Sequence, residues 1–351
     1  MKSGSIALLV SEVIIVLFVL LITENEKISN FWNKVNKKLK IIIYILLTIA
    51  FLYMSFIQLS SIVQNIASHY IKDENQAFFD EVDKKIEMEN DYYKNAINTI
   101  KTEIKDPYIP EGFTYVEGEV NNGYVIEDQD KNQYVWVPCT SEENSSTIQL
   151  SKYQILSVNY IFLKELYDED CDGFIDSSLK NGGFYISRYE LGNMNEKIVS
   201  KANAKVVTEI TYDEAKNYVS AMYDRNDISC KLINGYAYDT ALQWMLKTNN
   251  IDKSNLGDYL YKYDRKENES LLTGRNYLNN VADFFDNCLE MSSEIFYNTS
   301  IIRGFPFIER SDLMGIYKDR FDFENRYSII FGENQFSQFD FLSMRTMLYK
   351  N

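Results

Sequence analysis

Two long apolar stretches dominate the start of the chain. Residues 5–23 read SIALLVSEVIIVLFVLLIT, interrupted only by Glu12, and residues 41–59 read IIIYILLTIAFLYMSFIQL, with no charge before Lys72. Each approaches the ~20 apolar residues that a helix needs to cross ~30 Å of hydrocarbon. The pattern therefore predicts a two-helix transmembrane hairpin over residues 1–65. No small-x-small cleavage pattern follows the first stretch, which favours an uncleaved anchor over a signal peptide. The connecting segment carries Lys27, Lys34, Lys37, Lys38 and Lys40 against Glu24 and Glu26. Short lysine-rich loops stay on the cytoplasmic side. The expected location is thus the cell membrane, with the bilayer as a first partner and everything beyond residue 65 extracytoplasmic. Glu12 reads either as a functional intramembrane acid or as a charge near a helix start that snorkels or pairs within the hairpin.

Residues 66–106 hold no Pro or Gly, and their apolar positions fall at Ile71, Phe78, Val82, Ile86, Tyr93, Ile97, Ile100 and Ile104. Steps of three, four and seven between charged residues predict a helical stalk. At 1.5 Å per residue, ~40 residues reach roughly 60 Å. The stripe fits two arrangements: a coiled-coil seam, which makes the chain a homo-oligomer, or an amphipathic helix laid on its own globular domain. Pro107 and Pro110 end the helix, because proline cannot continue it and disfavours it one residue earlier.

From residue 107 onward the texture changes to short strand-like runs between Gly, Asn and Asp: Gly112–Val116, Gly123–Glu127, Tyr134–Pro138 and Gly183–Glu190. Two helices are expected. One covers residues 211–222 and opens on a capping-box pattern, Thr211 with Glu214; the other covers Asp239–Leu246. The expected fold class is α+β, over residues 107–351.

Charge and composition narrow the chemistry. The 351 residues carry 36 basic and 51 acidic side chains, a net charge of −15. That argues against a nucleic-acid partner, whose phosphates need clustered Lys and Arg. An apolar content of 46% leaves ample surface to bury, which excludes a disordered polyelectrolyte. The single histidine, His69, excludes a multi-histidine metal centre. Four cysteines, Cys139, Cys171, Cys230 and Cys288, allow two disulfides in three connectivities or four buried thiols.

A calcium reading attaches to the acidic run 168–176. With Asp168 as position one, Asp170, Asp172, Gly173, Ile175 and Asp176 fit positions three, five, six, eight and nine of an EF-hand loop, whereas Leu179 stands where a bidentate Glu belongs. The alternative is a solvated acidic turn.

Seven segments in order give a family resemblance. IPEGFTYVEGEVNNGYVIEDQDKNQYVWVPC (109–139), GGFYISRYE (182–190), ITYDEAKNYVSAMY (210–223), LINGYAYDTALQWM (232–245), residues 280–291, Arg303-Gly304 and residues 344–349 resemble the landmarks of the formylglycine-generating enzyme, or sulfatase-modifying factor, family. The resemblance implies a C-type-lectin-like α+β domain with little regular secondary structure. It also implies copper held by two cysteine thiolates shortly before the closing G-F-R, since soft thiolates suit Cu(I). Between Gly315 and Arg345 there is no cysteine, and the histidines of the iron-dependent branch are absent too. The expectation is therefore a domain without catalysis. By the same resemblance, calcium would be held by the side chains of Asp283 and Glu290 and the carbonyls of Asp286 and Cys288; a hydrogen-bonded turn without metal remains the alternative. Arg188, Glu190, Asp239 and Arg345 match polar family positions and are expected to be structural ion pairs. The functional expectation is a membrane-anchored, extracytoplasmic, non-catalytic domain that binds a glycan or protein ligand. Two alternatives stay open: a copper-dependent oxidoreductase with displaced cysteines, and a structural cell-surface assembly protein.

Overall fold

The computed structural model describes residues 76–100, 106–143, 148–152, 166–169, 171–251, 271–285, 287–296, 299–304, 327–328 and 342–351. The chain divides into two units, Met1–Glu81 and Val82–Asn351. In the first, only the helical residues 76–81 are described.

The second unit is organised by a sheet that is covered on both faces. Its strands are β1 (Thr114–Glu117), β2 (Val125–Glu127), β3 (Gln133–Thr140), β4 (Ile148–Gln149), β6 (Gly183–Ser187), β10 (Ile228–Leu232) and β17 (Thr346–Lys350). The order is β1-β2-β3-β6-β17-β10, antiparallel throughout, with β4 joining β3 in parallel. Because side chains alternate along a strand, Val135, Val137 and Cys139 of β3 enter one core and Tyr134 and Trp136 the other. Two-sided burial is why this strand reads as a continuous apolar run.

On the first face lie three helices: α1 (Gln76–Thr99) through its Val82–Thr99 part, α2 (Asp172–Asn181) and α4 (Gly235–Thr248). Helix α3 (Tyr212–Ser220) covers the other face with Ala215 and Val219. A second sheet joins it there: β5 (Leu166–Asp168), β13 (Leu289–Phe296), β14 (Thr299–Arg303), β15 (Tyr327–Ser328) and β16 (Leu342–Met344), in the order β15-β14-β13-β16 with β5 also on β13. A small three-stranded sheet is formed by β7 (Gly192–Met194), β8 (Lys197–Val199) and β9 (Lys205–Val206), and a two-stranded ladder by β11 (Tyr277–Leu278) and β12 (Val281–Ala282).

The helix ends follow local chemistry. The Thr211 hydroxyl accepts from the Glu214 N–H at 3.2 Å while Glu214 accepts from the Thr211 N–H at 2.8 Å, a complete capping box. Asn234 caps α4 by accepting from the Ala237 N–H at 2.7 Å. Helix α2 stops at Gly182, whose φ of 76° is the left-handed conformation that glycine adopts without a Cβ clash.

The architecture corrects the expected one. The α+β class stands, with mostly antiparallel sheets, but no helix among the described residues is long and apolar enough to cross a membrane. The stretches at 5–23 and 41–59, Glu12, the lysine-rich loop and His69 all lie outside the described residues. Of the two arrangements open for the helix, the described part from Val82 onward takes the second, laid on the domain. Val82, Glu89 and Ala96 are buried, and Tyr93, Ile97 and Ile100, the residues a coiled-coil seam would have used, pack against the core beside α4.

Candidate functional site

Two arginines, Arg345 and Arg303, organise the interior where most of the family-like polar positions meet. Arg345, between β16 and β17, is fully buried. Its Nε donates to Glu290 Oε1 at 2.8 Å, Nη1 to the Ser187 carbonyl at 2.8 Å and Nη2 to the Ala282 carbonyl at 2.8 Å. Beside it, Glu190 accepts from the Cys288 N–H at 3.0 Å and from the Asn287 side-chain amide. Burial, then the nearby Asp283 and Glu290 charges, push the Glu190 carboxyl well above its ordinary range. Glu290 is also raised by burial, against the pull of Arg345. The second arginine, Arg303, is likewise buried. It pairs with Glu294 at 2.9 Å and with Asp239, and its guanidinium lies 4.3 Å from the Tyr238 ring centroid. Arg188 stands apart from both. It bonds Glu117 at 2.8 Å and Gln133 at 3.0 Å and lies over the Tyr189 and Tyr277 rings.

The calcium donors implied by the resemblance are engaged with protein groups. Asp283 accepts the backbone N–H groups of Gly274 at 2.5 Å, Arg275 at 2.9 Å and Asn276 at 3.0 Å, and so clamps the loop ahead of β11. Glu290 faces Arg345, and Asp286 lies outside the described residues. This set fits a hydrogen-bonded loop rather than a calcium shell, which needs six to eight oxygens free to face the ion.

The second calcium set is not brought together. Asp168 is buried on β5 and pairs with Lys152 at 2.9 Å. Asp172 and Asp176 sit on α2, where Asp176 reaches Lys180 at 3.5 Å, and Asp170 lies outside the described residues. Residues 172–181 form a helix, not the loop that either sequence reading required. Among the described residues no three His, Cys, Asp or Glu side chains form a group that could hold a metal ion.

All four cysteines are buried and none is in a disulfide. Burial pushes the Cys230 thiol up to about 12, and Cys139 and Cys171 further still. Cys139 on β3 and Cys230 on β10 stand on opposite faces of the sheet, with β6 and β17 between them. These residues do not fit the family's copper.

Among the described residues, two of the clefts open to a ligand are well defined. One, of about 490 Å³, lies over α4 and is crossed by the Lys247–Glu143 ion pair at 2.9 Å. The other, of about 480 Å³, lies between the β7–β8 hairpin, the β2–β3 turn and the end of α3. Its lining combines Met194, Ile198 and Tyr218 with the charges of Asp130, Lys197 and Lys201. Asn195 and Glu196 turn the hairpin at φ 53° and 65°, the left-handed pair that a two-residue turn needs. Sequence reasoning singled out none of these cleft residues. Ordinary surface side chains in turns carry no motif, and only the fold brings residues 130, 197 and 218 together.

No protein-family model, no curated protein and no solved structure matches this chain.

Proposed function

We propose that residues 107–351 form a binding domain, related to the formylglycine-generating enzymes but without their chemistry, that holds a glycan in the cleft between the β7–β8 hairpin and α3. The observation that carries this reading is the cleft lining, in which Lys197, Lys201 and Asp130 make no ion pair with one another or with any other described residue while apolar side chains form the walls. Clefts that mix apolar faces with a few convergent polar groups are where small ligands settle. Ammonium, carboxylate and amide groups beside the ring of Tyr218 suit a polyhydroxylated ligand with one apolar face. The absence of the copper chemistry is supported by the burial of all four cysteines.

The test is binding of the purified full chain to immobilised glycans, compared with the Lys197→Ser/Lys201→Ser double variant. Both lysines reach solvent, so stability should change by less than about 0.5 kcal/mol, while binding should fall about ten-fold or more. Binding that ignores the double substitution would remove the cleft from the reading. Copper-dependent oxygen consumption on a cysteine peptide would replace the reading with an enzyme.

A further inference from the structure

Helix α1 is tied to the domain by charge at the centre of its buried stripe. Val82, Glu89 and Ala96 are buried at seven-residue intervals, so a carboxylate occupies the middle position where an apolar residue would be cheaper to desolvate. Glu89 accepts from the Lys152 ammonium at 2.6 Å through one oxygen and from the Asp168 N–H at 2.8 Å through the other. One turn further on, the Tyr93 hydroxyl donates to the Leu150 carbonyl at 2.6 Å. The polar hold on the helix therefore falls on two short segments, 150–152 and β5.

The charges at this junction do not balance. Among the described residues Lys152 is the only cation paired directly with it, and it faces two carboxylates, Glu89 at 2.6 Å and Asp168 at 2.9 Å. A third, Glu294, stands opposite Asp168 in the β13–β5 register, with its own partner Arg303 on the far side. From α4, the Gly235 N–H donates to Asp168 at 3.2 Å; a Cβ at Gly235 would lie 2.5 Å from Glu294 Oε1, which is why that position is glycine. Among the described residues the other titratable groups facing Asp168 are Tyr212 of α3, Tyr236 of α4 and Cys171, and all three are held protonated by burial. Next along the chain, Glu169 pairs with Lys216 at 2.5 Å, which takes up that cation away from Asp168. Repulsion between carboxylates that share one ammonium is relieved when one of them keeps a proton.

We propose that α1 is a pH-operated strap, clamped on the domain while the Glu89–Lys152–Asp168 junction retains one proton and loosened when that proton leaves. Burial first, then Glu294 and Glu89, lift the Asp168 carboxyl to about 7 against the pull of Lys152, so the proton resides there. Lys152 stays charged throughout, because Asp168, Glu89 and Glu294 together outweigh its own desolvation. The sign follows from linkage. The closed state binds a proton that the open, solvated state does not, so closure is strong on the acid side and weakens as pH rises through about 7. Once Asp168 ionises, Glu89 is the member of the junction that can leave, since it rides on a helix with solvent along its outer face.

The experiment is hydrogen exchange of the full chain between about pH 6 and pH 9, with protection corrected for the intrinsic rate. Protection of residues 82–99 is expected to fall about ten-fold across that range while α4 holds constant. Asp168→Asn removes the titrating group and should flatten the profile. Glu89→Gln removes one of the competing carboxylates and should flatten it as well, so either variant serves if the other fails to fold. A flat wild-type profile, an equal loss in α4, or an unaltered fall in a folded variant overturns the strap.

Discussion

Arg345 shows what a single residue does in this interior. Three of its nitrogens reach acceptors contributed by β13, β6 and β12, at sequence separations of 55, 158 and 63 residues. Replacing it by alanine strands Glu290 in the core and leaves two carbonyls without a donor. The expected loss is about 3–5 kcal/mol, the usual cost of breaking a buried pair from one side. Urea unfolding at neutral pH measures it, and a loss under about 1 kcal/mol would contradict the account. Lysine should not rescue the variant, since one ammonium cannot reproduce the planar fork. Residue types at Glu190, Asp239, Asp283, Glu290 and Arg345 were legible as polar landmarks. Their partners were not, because a separation of 158 residues leaves no trace in local spacing. Glu89 and Lys152 carried no landmark at all; a charged residue inside a helical stripe looks the same whether it meets water or a buried ammonium.

At the scale of elements, the helices divide by how clearly their ends are written. Helix α3 was announced by Thr211 and Glu214, and the two side chains close the box as that spacing requires. Thr211→Ala should cost about 1 kcal/mol, read as a shift in the urea midpoint with unchanged slope; no shift would mean that packing of Ala215 and Val219 holds α3 without its cap. Helix α4 begins at Gly235, four residues before the expected start, because Gly-Tyr-Ala reads as loop until Asn234 is seen to cap it. Helix α2 was hidden by its own acids. Asp172 and Asp176 satisfy a calcium-loop pattern and a helix face equally well, and the inward set Phe174, Ile175, Ser178 and Leu179 decides for the helix only once a core exists to receive it. The strand runs were easier, since residues 133–140 alternate aromatic and β-branched side chains that both cores accept.

For the molecule as a whole, the buried acids set an unusual dependence on pH. Asp168 and Glu190 both have carboxyls raised above their ordinary values, each first by burial. The folded state therefore holds protons that the unfolded chain releases near pH 4, and the stability tied to them is lost as pH rises through the folded values. Glu127, Glu214 and Asp227 act in the opposite sense, but they lie at the surface where solvent screens their partners. Thermal unfolding should thus give a higher midpoint near about pH 5.5 than near about pH 8. A midpoint that climbs steadily between those values would show that the interior acids are ionised after all. The α+β class was legible in the sequence because strand and helix periods differ; the placement of β17 was not, because an apolar run at residues 346–350 gives no sign of which neighbours it joins.

That placement has a consequence for how the protein is made. Strand β17 lies between β6 and β10, pairing Ile186 with Met347 and Cys230 with Leu348. During synthesis the slot between those two strands stands empty until residues 346–350 have left the ribosome. The half-built domain must therefore wait with two unzipped edges, a window in which a chaperone, or a neighbouring nascent chain, has first access to them.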